Sequence, residues 1–223
     1  MFLFHKYNLF VAIIGDIRNS KNLLNRKSIQ DSLKQVLEDI NKEYAEDIAA
    51  KFLITLGDEF QGLLRNSRNI VRIIEAIKIK MYPVEIRFGV GIGEITTDIN
   101  SEMALGADGP GYYKAREAIE LLKENEKKNK TVISDIRVEC EAGNNSQIVL
   151  INTVFELIRV IEQNWSERQR QIIWNIQIYQ DGQKRTAERL GVTQSSVNKA
   201  LANGNYYAYA KALKDVENIL GES

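Results

Sequence analysis

Apolar positions follow two rhythms along this chain, and the rhythm changes near residues 143–152. Leu9–Ile14 is an unbroken apolar run ending in Gly15-Asp16. Its length and β-branching predict a central strand with Asp16 at its C-terminal edge. From about Arg26 to Ile48, Ile29, Leu33, Val36, Leu37 and Ile40 recur at helical spacing with charges between them. Lys51–Leu64 then places two apolar runs, Phe52–Leu56 and Phe60–Leu64, around Gly57-Asp58-Glu59, a β-hairpin signal with acids at its tip. Such acids are either solvated turn residues or ligands for something positively charged.

Asn66-Ser67 can cap a second helix, with Ile70, Val71, Ile73, Ile74, Ile77 and Met81 inward and Pro83 marking its end. Val84–Ile95 alternates and carries Gly89, Gly91 and Gly93, which permit close approach of either a helix or a ligand. Thr96–Gly111 reads as a long loop. Tyr112–Lys128 reads as a helix with Ala115, Ala118, Ile119 and Leu122 inward and a solvated charged exit from Lys123 to Lys128. Thr131–Cys140 is expected to be a strand, and Glu141–Ser146 is the clearest turn. The order βα ββ α β α β predicts an α+β fold, one sheet largely covered by helices, over residues 1–145. If the first strand lies beside the hairpin, Asp16 and Asp58 meet at one end of the sheet.

After residue 146 only helical periods remain, predicting an all-α domain over 146–223. Within it Ala187, Leu190, Val192, Val197 and Leu201 sit where a helix-turn-helix buries its apolar residues. Gly191 supplies the tight turn and Thr193 can cap the second helix. That helix would expose Gln194, Ser195, Ser196, Asn198 and Lys199, short hydrogen-bonding side chains suited to base edges. The other reading is a helical hairpin for protein contact. From Arg168 to Asn205 six basic residues, Lys184 and Arg185 among them, face two acids, a local charge of +4. Thr193, Lys184 and Arg185 join the exposed set as candidate DNA-contacting residues. Trp165 and Trp174 read as packing residues. Tyr206–Leu220 forms a last helix that could cover the motif or pair with a second chain.

Composition narrows the chemistry. The chain has 223 residues, 44% of them hydrophobic, and a formal net charge of zero, so no global basic field marks it for nucleic acid. The single cysteine, Cys140, excludes an intramolecular disulfide and fits a cytoplasmic setting. The single histidine, His5, removes Ser-His-Asp, Cys-His and multi-histidine zinc sites. The N-terminal stretch does not read as a secretory signal, and no apolar run approaches the roughly 20 residues of a membrane span.

Several of these phrases together resemble the class III nucleotidyl cyclases. Ile13-Ile14-Gly15-Asp16-Ile17 is similar to their strand ending in aspartate, and Gly57-Asp58-Glu59-Phe60 to their Gly-Asp hairpin tip. Ile86–Glu94 is similar to their Arg- and Gly-rich strand, and Gly109-Pro110 with Ala115-Arg116 to the helix that follows. The resemblance covers about residues 9 to 140. With the C-terminal part added, the chain looks like the bacterial SatD family. The resemblance implies a cyclase-like (ferredoxin-like or palm-type) mixed sheet in which Asp16 and Asp58 hold Mg²⁺ or Mn²⁺. Ile17, Arg18, Asn19 and Ser20 would cradle the phosphates of a nucleotide. It also implies a homodimer. Arg116 is the candidate catalytic residue. The transition-state asparagine of the cyclases is absent, with Tyr113 or Tyr112 in its place. The expected function is therefore a nucleotide- and metal-binding, DNA-binding regulator, with an active nucleotidyl cyclase or nucleotidyl transferase as the alternative.

Overall fold

The computed structural model describes residues 9–20, 25–104, 106–141 and 146–221. His5 and most of the turn expected at 141–146 lie outside these residues. Five strands and eight helices follow in order: β1 (Phe10–Ile17), α1 (Arg26–Glu43), β2 (Ile48–Leu56), β3 (Glu59–Leu64), α2 (Ile70–Met81), β4 (Ile86–Gly93), α3 (Pro110–Asn129) and β5 (Ile136–Cys140). The helices α4 (Ser146–Gln163), α5 (Glu167–Tyr179), α6 (Gln183–Leu190), α7 (Gln194–Asn203) and α8 (Tyr206–Gly221) complete the described chain.

The strands form one mixed sheet in the order β2-β3-β1-β4-β5, antiparallel except for the parallel β4–β5 pair. β1 is central because it is apolar on both faces. Val11 and Ile13 face the core that also holds α1 and α2, whereas Ala12 and Ile14 face the smaller core under α3. The alternation of a strand thus divides one run of residues between two layers. The glycines of β4 serve close packing. A Cβ on Gly91 would stand 2.0 Å from the Gly111 carbonyl oxygen and 2.2 Å from the Ala115 nitrogen, so α3 rests directly on the strand backbone.

The larger core does not stop at the sheet. It continues through Ile151, Phe155 and Ile158 of α4 to Ile172, Val197, Tyr209 and Val216 of the later helices. The Asn152 side chain of α4 exchanges two hydrogen bonds with the Val138 backbone of β5, at 2.8 and 2.9 Å.

Three boundaries differ from expectation. The first helix ends at Glu43, and Ile48–Lys51 belong to β2. Ile48 and Ala50 pair with Leu64 and Leu63, so sheet pairing overrides their continued helical phase. α3 begins two residues early, at Pro110, a residue that suits a first helical turn. The last strand is only Ile136–Cys140, although Val132 and Ile133 have strand character.

Candidate functional site

Charged groups from β1, β3, β4 and α3 meet at the end of β1. β1 lies beside β3 with Asp16 opposite Glu59, and beside β4 with Asp16 opposite Arg87. The Ile17 N–H donates to the Asp58 carbonyl at 3.0 Å, so the tip of the β2–β3 hairpin adjoins the end of β1. Asp16 is buried and Asp58 half-buried. The condition for the two acids to share one end of the sheet is met.

Their side chains have different neighbours. Arg87 Nη1 donates to Asp16 Oδ2 at 2.5 Å, and Lys123 Nζ donates to Oδ1 at 2.7 Å. The Ser20 hydroxyl donates to Asp58 Oδ2. Glu59, the first residue of β3, takes the fork of Arg116 at 2.5 and 2.7 Å. Among the four residues expected to cradle phosphates, two backbone amides are engaged: Ile17 by Asp58, and Arg18 by the Glu85 carbonyl at 2.8 Å. The Arg18 side chain points inward, 4% exposed, onto Glu126 at 2.8 Å and Asp135 at 2.6 Å. Asn19 is exposed with φ of 52°, and Ser20 is buried.

The charged exit of α3 is solvated as expected at Lys123, Glu124, Lys127 and Lys128, but Glu126 is half-buried and paired. Lys123 reaches Asp16, while Glu126 accepts from Arg87 Nη2 at 2.6 Å as well as from Arg18. The missed signal is helical phase: Ala115, Ile119, Leu122 and Glu126 fall on one inward stripe. Burial works against the Glu126 carboxylate, but the Arg87 and Arg18 hydrogen bonds outweigh it and hold its pKa below the ordinary value. Among the described residues, no group of three or more His, Cys, Asp and Glu side chains is arranged to hold a metal ion.

The second candidate surface lies on α6 and α7. These helices are joined by Gly191-Val192-Thr193, with Gly191 at φ 63°, a left-handed cap that glycine reaches without Cβ strain. Thr193 Oγ1 accepts from the Ser196 backbone N–H at 3.1 Å and so starts α7. Val197 and Leu201 are buried, whereas Gln194, Ser195, Ser196, Asn198 and Lys199 are all exposed on α7. Lys184 and Arg185 are exposed on α6. Thr193 therefore shapes the surface as a cap while itself remaining exposed. Arg189 is held by Asp181 and Asn175 and lies over the Tyr179 ring.

Residues 10–220 match the SatD family. The chain belongs to the SatD family. No curated protein sequence matches it. Among solved structures, it is similar to the non-canonical dimeric guanylyl cyclase domain of the RhoGC fusion protein from the aquatic fungus Blastocladiella emersonii. That likeness has 15% identity and a TM-score of 0.33, and covers 49% of this chain and 72% of the other. The guanylate cyclase domain of RhGC from Catenaria anguillulae, solved with GTP, is 16% identical with a TM-score of 0.34, covering 49% and 71%. A bacterial light-regulated adenylyl cyclase is 12% identical with a TM-score of 0.39, covering 58% of this chain and 42% of its own. Among the described residues, no helix is long and apolar enough to cross a membrane.

Proposed function

We propose that this SatD-family protein is a nucleotide- and metal-responsive DNA-binding regulator that acts as a homodimer in the cytoplasm. The observation that supports the nucleotide reading is that the backbone of Asp58, at the hairpin tip, adjoins the strand end that carries Asp16. Mg²⁺ takes one or two carboxylates and fills its remaining positions with water and phosphate oxygens, so two acids suffice. Asp16 is paired at both oxygens, with Arg87 and Lys123, so an ion bound there has to displace one of these side chains. Asp16 and Asp58 would hold the ion, and the ion would supply charge neutralisation for bound phosphates. Lys123, on the rim with a 43% exposed side chain, can swing to solvent or to a phosphate.

Binding is favoured over turnover by the state of Arg116. Both arms of its fork are occupied by Glu59, and the neighbouring Tyr113 hydroxyl donates to Asp108 at 2.7 Å. A transition-state group must be free to meet developing charge, and geometry decides its worth.

Support for the DNA reading comes from the run of short polar side chains exposed along α7 beside the basic residues of α6. Two copies in a dimer would present two such helices to successive major grooves.

Calorimetry with Mg²⁺ plus ATP or GTP tests the first half. Saturable binding is expected, weakened at least about ten-fold by Asp58→Ala. Fluorescence anisotropy with labelled duplexes tests the second half. Binding is expected to fall with salt, and Lys199→Ala or Arg185→Ala to reduce the salt slope by about 1 if each meets a phosphate. Pyrophosphate release with wild-type protein would overturn the non-catalytic reading. Salt-independent binding, unchanged in both variants, would overturn the DNA reading.

A further inference from the structure

The helix α4 has two apolar faces, and the molecule uses one of them. Ile148, Ile151, Phe155 and Ile158 turn inward, where α4 packs on β5 and α8. On the other side Val149, Leu150, Leu157 and Val160 are between 54% and 65% exposed. Twelve large hydrophobic side chains are exposed among the described residues, and four of them share this one helix. Scattered exposed apolar residues are ordinary, whereas a contiguous stripe of them marks an interaction surface. Every exposed position of α4 is also uncharged, in a chain of which 27% is charged. Its charged residues lie elsewhere: Glu162 is buried, and Glu156 and Arg159 are half-buried. The outward side of a surface helix ordinarily carries the charge, so this arrangement is the reverse of the usual one.

We infer that a second copy of this chain covers the outward face of α4, making α4 the two-fold seam of the homodimer in the reading above, on which this inference rests. Leu150, Thr153, Leu157 and Val160 recur at intervals of three, four and three, the spacing by which two helices pack along one another. Charge selects the occupant. A two-fold contact lays one patch against the same patch of the partner, so any charge on it meets its own kind. Like charges placed together are costly, and an uncharged stripe avoids that cost. A strongly acidic or basic partner would find nothing on this face to pair with. An anionic lipid surface calls for basic residues along the helix borders. Here the borders hold the acidic Glu156 and Arg159, whose guanidinium is already taken by Asp135 at 3.1 Å and Glu85 at 2.7 Å. The 18 residues of α4 span about 27 Å at 1.5 Å per residue. A seam of one such helix per chain lies at the low end of the roughly 1,200–2,000 Å² that specific interfaces bury, so the dimer is expected to dissociate on dilution.

Sedimentation equilibrium of the full chain at rising concentration tests this. The wild-type mass is expected to approach twice the 25.4 kDa of one chain. Leu157→Glu and, independently, Leu150→Glu are each expected to raise the dimer dissociation constant at least about ten-fold, because two-fold symmetry brings two new carboxylates into the seam per substitution. Both positions are exposed in the single chain, so the circular dichroism spectrum of each variant should match that of wild type. Two variants guard against the misfolding of one. A dimer that persists at wild-type strength in either folded variant overturns this face and leaves the homodimer reading standing. A wild-type chain that stays monomeric at every concentration overturns both. So does a monomer that floats with phosphatidylcholine vesicles and no longer does so as Leu157→Glu, a result that would give the face to lipid.

Discussion

Lys78 shows how much this interior depends on single side chains. Its ammonium is the shared cation for Glu75 and Glu162, with Asp135 just beyond. Burial opposes the charge, yet those carboxylates outweigh burial and raise the lysine's pKa above its ordinary value. Removing one member of a buried charge group leaves the others uncompensated, at a cost of about 3–5 kcal/mol. Lys78→Met is therefore expected to destabilise the fold by that amount in urea unfolding. The double variant Lys78→Met/Glu162→Gln should recover part of the loss, because one stranded charge goes with the cation. Additive losses in that cycle would mean the two side chains are not coupled. None of this was legible in the sequence. Lys78 reads as an exposed lysine near a helix end, and its partner Glu162 stands 84 positions away. Asp16 and Asp58 were legible because each ends a strongly patterned apolar run. Their cationic neighbours were not, since the separation of Lys123 from Asp16 is 107 positions and only the folded sheet joins them.

At the scale of elements, α7 is a short helix whose start is fixed by one side chain. Thr193 caps it, and Val197 and Leu201 anchor it. A threonine cap contributes about 1 kcal/mol. Thr193→Ala is expected to lower stability by that amount in thermal melts and to increase hydrogen exchange in the first turn of α7. Thr193→Asp, which can also cap, should restore both. If Thr193→Asp is as unstable as the alanine variant, the cap is not what Thr193 contributes. This element was readable in advance because its signals are local: a capping threonine, a glycine turn and two apolar positions four apart. β1, the hairpin and the apolar face of α2 were readable for the same reason, whereas the cap expected from Asn66-Ser67 is not formed: α2 starts after Asn69, with no side-chain cap. Ile48–Lys51 was not readable. Ile48 keeps helical phase with Ile40, and only pairing with β3 assigns it to the sheet. Thr131–Asp135 failed in the opposite direction. Val132 and Ile133 look like strand residues, but the pairing with β4 begins at Ile136, opposite Phe88.

The whole molecule carries balanced formal charge, but a few of its charged side chains are buried, and its stability should therefore depend on pH at two places of opposite sign. Burial opposes the Asp135 carboxylate, but Lys78, Arg18 and Arg159 outweigh it and lower its pKa. The folded protein thus binds fewer protons there than the unfolded chain, whose aspartates titrate near about 3.9. The stability from Asp135 is present above that value and lost as pH falls through the lower folded value. Glu126 acts in the same direction. Glu162 acts in the other. Burial raises its pKa, and Lys78, shared with Glu75 and Asp135, does not fully offset this. Its contribution is present below the unfolded glutamate value of about 4.3 and is lost as pH rises through the raised folded value. Melting temperatures measured across pH should fall steeply below about 4. Asp135→Asn is expected to flatten that acid limb, although its overall stability will be lower. Glu162→Gln should flatten only the limb on the other side, because glutamine keeps the shape without a proton to lose. If Glu162→Gln changes the acid limb instead, the carboxylate is held charged in the fold. Lys78 would then be compensating it fully, and the buried charge group around it would be balanced at every member.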